Sequence, residues 1–264
     1  IGIWGSIFMI GLLNAFMNQR ADKLIQVEVG EIQVHAKNFD TDMDIVSYIQ
    51  DPAKLNDILS ENSSIEAYAN RFVVEASAMS AHGQQGVQLI GVNPEEEIRV
   101  LGLYKRLVDG SYFDTNLRYP ILVGKKMAED LKLKLKSKVQ LSFVSPQGEQ
   151  IGKTFKVVGI FQAGDDLFDS YTVFIPKSKV KDLIGEDLTH EVVIKLQEET
   201  DAKLVAQQIE EKDQGANKVE SYLDRYPEVA YALEFSEDFS YYMMIVVMLA
   251  LLFGIINTLI MSIL

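Results

Sequence analysis

The chain has 264 residues, with 25 Lys and Arg against 38 Asp and Glu, a formal net charge of −13 and no cysteine. That balance argues against a nucleic-acid partner and leaves no polybasic patch for anionic lipid. Without cysteine, neither a disulfide framework nor a thiolate metal site can form; the compartment is left open.

Where the charges sit is more informative than how many there are. Residues 1–19 and 239–264 contain no Lys, Arg, Asp or Glu, so every such charge lies between Arg20 and Asp238. At about 1.5 Å per residue the first segment reaches about 28 Å, close to one hydrocarbon thickness. The second reaches about 39 Å and can span with tilt. The pattern predicts transmembrane helices at 1–19 and 239–264, with an extracytoplasmic domain, 20–238, looped between them. A signal peptide is the weaker reading of the first segment, which lacks a basic n-region and a small-x-small cleavage site. The chain opens inside one apolar run and closes inside another, so it reads as part of a longer polypeptide with further spans. The Lys and Arg counts that would orient the helices lie outside it.

Residues 20–238 exceed the usual domain of about 100–150 residues, so two subdomains are expected. Residues 24–36 alternate with period two around Gly30, a strand pattern. A helix follows at 51–61, then strands at 66–81 and 84–92 about a His82-Gly83 turn. Glu95, Glu96 and Glu97, after Asn93-Pro94, form the acidic first turn of a helix. A helix is predicted at 124–135, and two strands within 137–163 joined through Pro146-Gln147-Gly148. SYTVFIP then leads into the helix KSKVKDLIG, with Pro176 suited to its N1 position. Strand 191–196, helix 199–213 and strand 217–223 predict a βαβ unit with a parallel, buried pairing. The class is α+β, with 93–187 a β-rich subdomain inserted between the pieces nearest the membrane.

Motifs for chemistry are missing from the sequence. In YPILVGKK (119–126), Tyr119 stands where a phosphate loop needs its first Gly and Lys126 where it needs a hydroxyl, so Gly124 is a strand-to-helix turn. His35, His82 and His190 have no metal-ligand spacing and read as solvated or hydrogen-bonded. Asp165, Asp166 and Asp169 lack the closing Glu of a calcium loop. No G-x-S-x-G occurs. No catalytic residue, metal or cofactor is expected.

The membrane segments carry the candidate sites. Ala250, Gly254, Thr258 and Ser262 recur every fourth residue, which lets another helix approach closely. Asn257 beside them calls for a helix partner or a polar cavity. Tyr241 and Tyr242 mark a membrane interface, and Met244 and Met248 offer flexible apolar surface for acyl chains. Phe16 and Met17 fall at the same level of the first segment. Candidate substrate contacts are therefore Phe16, Met17, Tyr241, Met244 and Met248; candidate helix-packing residues are Ala250, Gly254, Asn257 and Thr258. The blander reading is a plain anchor pair, because membrane helices are Gly-rich in any case.

Four stretches, QLIGVNPEEE, LVDGSYF, PILVGKKMAEDLKLKLKSKVQL and FKVVGIFQAGDDLFDSYTVFIP, stand in order between the apolar ends, the last of which holds LFGIINTLIMSIL. Together they resemble the FtsX-like permeases of the MacB type, membrane subunits of ABC transporters. Residues 91–97 and the G-x-x-x-x-D-S ending at Ser170 are most similar to the lipoprotein-releasing permeases LolC and LolE. The resemblance implies a bacterial inner-membrane protein with its soluble domain in the periplasm, porter-like over 24–92 and 188–232. It also implies a cytoplasmic ABC ATPase, a second permease subunit, a lipoprotein substrate and a periplasmic lipoprotein carrier. LolC recruits its carrier through a hook between the strands corresponding to 137–163; here the connection SPQGEQIGK is short, as in a LolE-like or different branch. The alternatives are a MacB-type exporter of peptides or small molecules, and the ligand-binding part of a two-helix sensory receptor.

Overall fold

In the computed structural model, which describes residues 30–39, 45–113, 117–198 and 200–263 together with Phe8, Gly11, Leu12 and Ala15, the alternating stretches of sequence are strands. Residues Lys23–Tyr222 form one compact unit; Ile1–Asp22 and Leu223–Leu264 form the other. The first expected span, 1–19, falls almost wholly outside the described residues.

Among the described residues the larger unit contains ten strands: β1 Ile32–Ala36, β2 Ile65–Met79, β3 Gln84–Val92, β4 Leu107–Gly110, β5 Pro120–Gly124, β6 Lys138–Val144, β7 Gln150–Phe161, β8 Thr172–Pro176, β9 Glu191–Leu196 and β10 Asn217–Ser221. Its helices are α1 Pro52–Ser60, α2 Pro94–Val100, α3 Lys125–Asp130, α4 Asp166–Tyr171, α5 Lys177–Ile184 and α6 Ala202–Lys212. Side-chain caps start four of them: Asp51 accepts from the Lys54 N–H, Asn93 from that of Glu95, Asp165 from those of Leu167 and Phe168, and Asp201 from those of Lys203 and Leu204. Each cap satisfies N–H groups that the first helical turn leaves without a partner.

Four strands in the order β10-β1-β9-β2 make an antiparallel sheet. This corrects the expected parallel pairing of 191–196 with 217–223. Those two strands do run parallel, but β1 lies between them and pairs with both. The arrangement is a split βαβ unit, and β1, α1 and β2 form a second one around β9. Leu55 and Leu59 of α1 and Val205 and Ile209 of α6 cluster with Ile32, Val34, Val192 and Ile194, so the two helices cover one face of the sheet.

Strand β2 is long enough to serve two layers. Ile65–Arg71 pairs with β9, whereas Phe72–Met79 pairs with β3 and, at its end, with β6. The pairing changes at Arg71 and Phe72, upstream of the expected boundary at residues 92 and 93, so β3 belongs with the second layer. That layer closes on itself: β2, β3, β8, β5, β7 and β6 are each bonded to the next, and β6 returns to β2. The result is a six-stranded barrel of mixed direction, with β4 added outside β7. Alternate residues fill it, including Phe72, Val74 and Ala76 of β2, Leu141 and Phe143 of β6, and Phe155 and Val157 of β7. Closure leaves these strands without free edges.

Local details adjust three further expectations. Pro176 is the N-cap of α5 rather than its first helical residue. Helix α3 ends at Asp130 instead of running to 135, and Lys132 turns the chain with φ +51. Gly124 does form the strand-to-helix turn, and its reason is steric: a Cβ there would lie 2.0 Å from the Asp169 carbonyl oxygen. Between β6 and β7 the turn is short, Gly148 adopts φ +81, and its N–H donates to the Ser145 carbonyl at 2.9 Å.

Helix α7, Tyr222–Arg225, begins at the last residue of the larger unit, and α8, Pro227–Ile263, follows it in the smaller one. Within α8, Tyr241–Ile263 is long and apolar enough to cross a membrane, the one such helix among the described residues.

Candidate functional site: an apolar helix and a buried row of charges

The apolar part of α8 has 23 residues and reaches about 35 Å at 1.5 Å per residue, more than one hydrocarbon thickness. Tyr241, Met244 and Met248 are exposed along it. At about 100° per residue these three fall within about 60° of one another, Ala250 and Asn257 fall nearly opposite, and Gly254 and Thr258 lie on the flank between, Thr258 about 40° from Met244. Of the expected helix-packing residues, Ala250 and Asn257 thus point away from the expected substrate contacts, and Gly254 and Thr258 border them. Ala250, Gly254, Asn257 and Thr258 are all exposed. The Thr258 hydroxyl donates to the Gly254 carbonyl at 2.9 Å, which satisfies it within the helix, as a lipid-facing hydroxyl requires. Phe16 and Met17 lie outside the described residues.

The larger unit contains a feature that the sequence reading missed. Arg71 of β2, Glu191 of β9, His35 of β1 and Lys218 of β10 are successive cross-strand neighbours, forming one row across the whole four-stranded sheet. Arg71 Nη1 donates to Glu191 Oε1 at 3.0 Å, and its Nε and Nη2 hold both oxygens of Glu97 from α2. His35 Nε2 lies 3.0 Å from Glu220 Oε2, and Lys218 Nζ lies 2.8 Å from the other oxygen of that carboxylate. Arg71, Glu97 and His35 have almost no exposed surface.

Charges taken out of water are expensive unless paired in good geometry. Burial alone would lower the Arg71 pKa; the charges of Glu97 and Glu191, with the hydrogen bonds to them, outweigh it and raise the pKa instead. The fork of donors on guanidinium suits this arrangement of two carboxylates. One end of the row is β10, the strand that precedes α7 and α8 in sequence; the other is the residue at which β2 leaves the sheet for the barrel. Glu95, Glu96 and Glu97 do form the acidic first turn of α2, and within it Glu97 is buried against Arg71. The only local signal was a lone Arg inside the strand ANRFVVEA.

His190 was read as solvated or hydrogen-bonded, and it is buried and bonded. Its Nδ1 accepts from the Val73 N–H at 3.4 Å and its Nε2 lies 2.9 Å from the Ile45 carbonyl, roles that a single neutral tautomer fulfils. The ring meets Phe72 edge-on at 4.8 Å. Asp165 caps α4, and Asp169 accepts from the Ala163 N–H at 2.8 Å, so this acidic pair organises a turn.

A split-βαβ sheet continued by one strand into a closed barrel describes a domain of mixed α/β class, followed in the chain by a helix long and apolar enough to cross a membrane. The MacB-like periplasmic core domain family matches residues 1–212. The chain belongs to that family, and with it to the FtsX/MacB-type ABC permeases. Among solved structures, the periplasmic region of MacB from Actinobacillus actinomycetemcomitans is similar at 13% identity and a TM-score of 0.51, over 73% of this chain and 90% of that one. The extracellular domain of the ABC-type transporter YknZ from Gram-positive bacteria gives 16% identity and a TM-score of 0.49, over 72% and 99%. A search of curated protein sequences gives no match.

Proposed function

We propose that the chain is the membrane and periplasmic part of an inner-membrane ABC-transporter permease that draws lipoproteins from the bilayer and releases them towards a periplasmic carrier. ATP hydrolysis belongs to a separate cytoplasmic subunit, and a second permease subunit, identical or not, completes the helix bundle. The observation that carries this reading is the exposed Tyr241, Met244 and Met248 side of α8, with Ala250 and Asn257 on the opposite side. Met side chains adapt to irregular apolar partners, so Tyr241, Met244 and Met248, with Phe16 and Met17, suit acyl chains at the membrane surface. Small residues suit close helix packing, so Ala250, Gly254, Asn257 and Thr258 face the second subunit. The chain divides in this proposal into 24–92, 93–187 and 188–232, with the end of β2 and all of β3 in the first piece carried into the barrel, and the charge row ties the porter-like sheet to the barrel so that helix motion is transmitted through it.

The test is crosslinking in membranes that hold the whole transporter. Met244→Asp combined with Met248→Asp should abolish crosslinking of α8 to a lipoprotein substrate. Crosslinking at the unsubstituted level would sink the assignment of this face. The tight turn between β6 and β7 favours a second reading, export of peptides or small molecules, because it provides no extended arm for a carrier. A deletion strain separates the two: mislocalised lipoproteins support release, whereas drug sensitivity with normal lipoprotein placement supports export.

A further inference from the structure

The net charge of −13 hides a local reversal. Residues 117–156 hold nine Lys and Arg against three Asp and Glu, so the absence of a polybasic patch expected from the overall balance does not hold on the barrel. Backbone bonds bring these cations together. The Lys136 N–H donates to the Val157 carbonyl at 2.8 Å, the Lys156 N–H to the Tyr119 carbonyl at 2.8 Å, and the Lys134 N–H to the Ser137 hydroxyl at 3.0 Å. Lys138 and Lys156 are directly opposite each other on β6 and β7. Arg118 and Lys153 both lie over the Tyr119 ring, at 5.6 and 4.5 Å from its centroid. One continuous surface thus carries Arg118, Lys134, Lys136, Lys138, Lys153 and Lys156.

Among the described residues none of these six has a carboxylate at ion-pair distance, whereas Lys126 close by in sequence is paired with Asp130. Like charges directly opposite in a sheet are destabilising, and no carboxylate offsets the Lys138–Lys156 pair. Arg118, Lys134, Lys136 and Lys138 are exposed, so their charges are open to a partner.

The chemistry of the patch narrows what that partner is. A small phosphate-type anion is held by converging backbone N–H groups or by arginine forks. Here the N–H groups of Lys134, Lys136, Ser137 and Lys156 are already bonded within the chain, and five of the six cations are lysines, point charges on flexible stems. A large polyanion, such as nucleic acid or an anionic bilayer, would run past the patch onto the rest of the chain, where Asp and Glu outnumber Lys and Arg. The patch also stands at the far end of β2. Ile32 and Ser221, next to the two ends of the larger unit, are paired at the level where β2 begins, whereas β6 meets β2 at Met79, where it ends.

We infer that this basic end of the barrel docks an acidic segment of a partner protein, whose carboxylates are confined to the area of the patch. Attraction of this kind speeds encounter and selects partners, and it weakens with salt. The inference goes beyond the transport reading and does not depend on it.

Fluorescence anisotropy of labelled decaglutamate titrated with the detergent-solubilised full chain tests it. The peptide should bind saturably, and about 10-fold more weakly once ionic strength rises from about 0.01 to 0.1 M and the Debye length shrinks from about 30 to 10 Å. Lys134→Glu combined with Lys138→Glu should weaken binding by about 10-fold or more. Lys54→Glu combined with Lys212→Glu makes the same change in net charge at exposed positions of α1 and α6, and should bind normally. Lys138→Gln should weaken binding while keeping or raising the thermal midpoint, because it relieves the repulsion from Lys156. Absence of decaglutamate binding, equal losses in the two double variants, or a lowered midpoint for Lys138→Gln would each overturn the inference. So would tighter binding of tripolyphosphate or a deoxythymidine decamer, which would make the patch a phosphate site, or self-association abolished by the Lys134 and Lys138 pair, which would make a second copy the occupant.

Discussion

The four-stranded sheet and the barrel share strand β2, yet they bury different chemistry. The barrel interior is filled by aliphatic and aromatic side chains such as Val74, Leu141, Phe155 and Val173. The sheet instead carries a row of charged and imidazole groups, buried at Arg71, Glu191 and His35 and open at Lys218, on the face opposite α1 and α6. A closed barrel shields its inward positions with its own walls, so apolar packing satisfies them without any pairing of polar groups. The open sheet has a second face to be covered, and charges are tolerated there because each meets a counter-charge at hydrogen-bond distance. Stability in the barrel thus depends on shape, and in the sheet on partnership.

The sharpest way to break this contrast is Arg71→Met. It leaves Glu97 and Glu191 buried without their guanidinium and should cost about 3–5 kcal/mol in a denaturant titration. Replacing Glu97 and Glu191 by Leu in the same chain should recover most of that loss, since a matched apolar set removes the orphaned charges. Failure to recover would mean that the row stabilises by more than pairing. In the barrel, Leu141→Ala should cost about 2–5 kcal/mol through lost burial and a residual cavity, and no single partner substitution should restore it.

The smallest effect is one of pH. Each region has a carboxyl pushed above its ordinary range by burial: Asp169, against the pull of the Ala163 and Gly164 N–H groups, and Glu31 beside β9, against that of the Leu196 N–H. A raised folded pKa means that the carboxyl binds its proton more tightly when folded. Its contribution is therefore complete below the ordinary carboxylate pKa and is lost as pH rises through the folded value. Asp169→Asn should remove its part of the fall in stability from acid towards neutral pH, leaving the part due to Glu31. Parallel stability-versus-pH curves for the variant and the unsubstituted chain would contradict this.

Several elements were legible in the sequence because their signals are local. The apolar run of α8, the hairpins β2–β3 and β6–β7, the acidic start of α2 and the strand-to-helix turn at Gly124 all follow from spacing within a few residues. The charge row was not legible, since Arg71 and Glu191 are 120 residues apart and His35 and Glu220 are 185 apart.

By itself, the sequence determined which segments are apolar helix, strand and capped helix. Periodicity and capping act between neighbours, so those features are present before any long-range contact forms. Only the tertiary structure decided that β1 slots between β9 and β10, that six strands close into a barrel, and that Arg71 meets two carboxylates. Pairing register and burial are properties of distant segments packed together, and they turn a lone arginine in a strand into the joint between two layers.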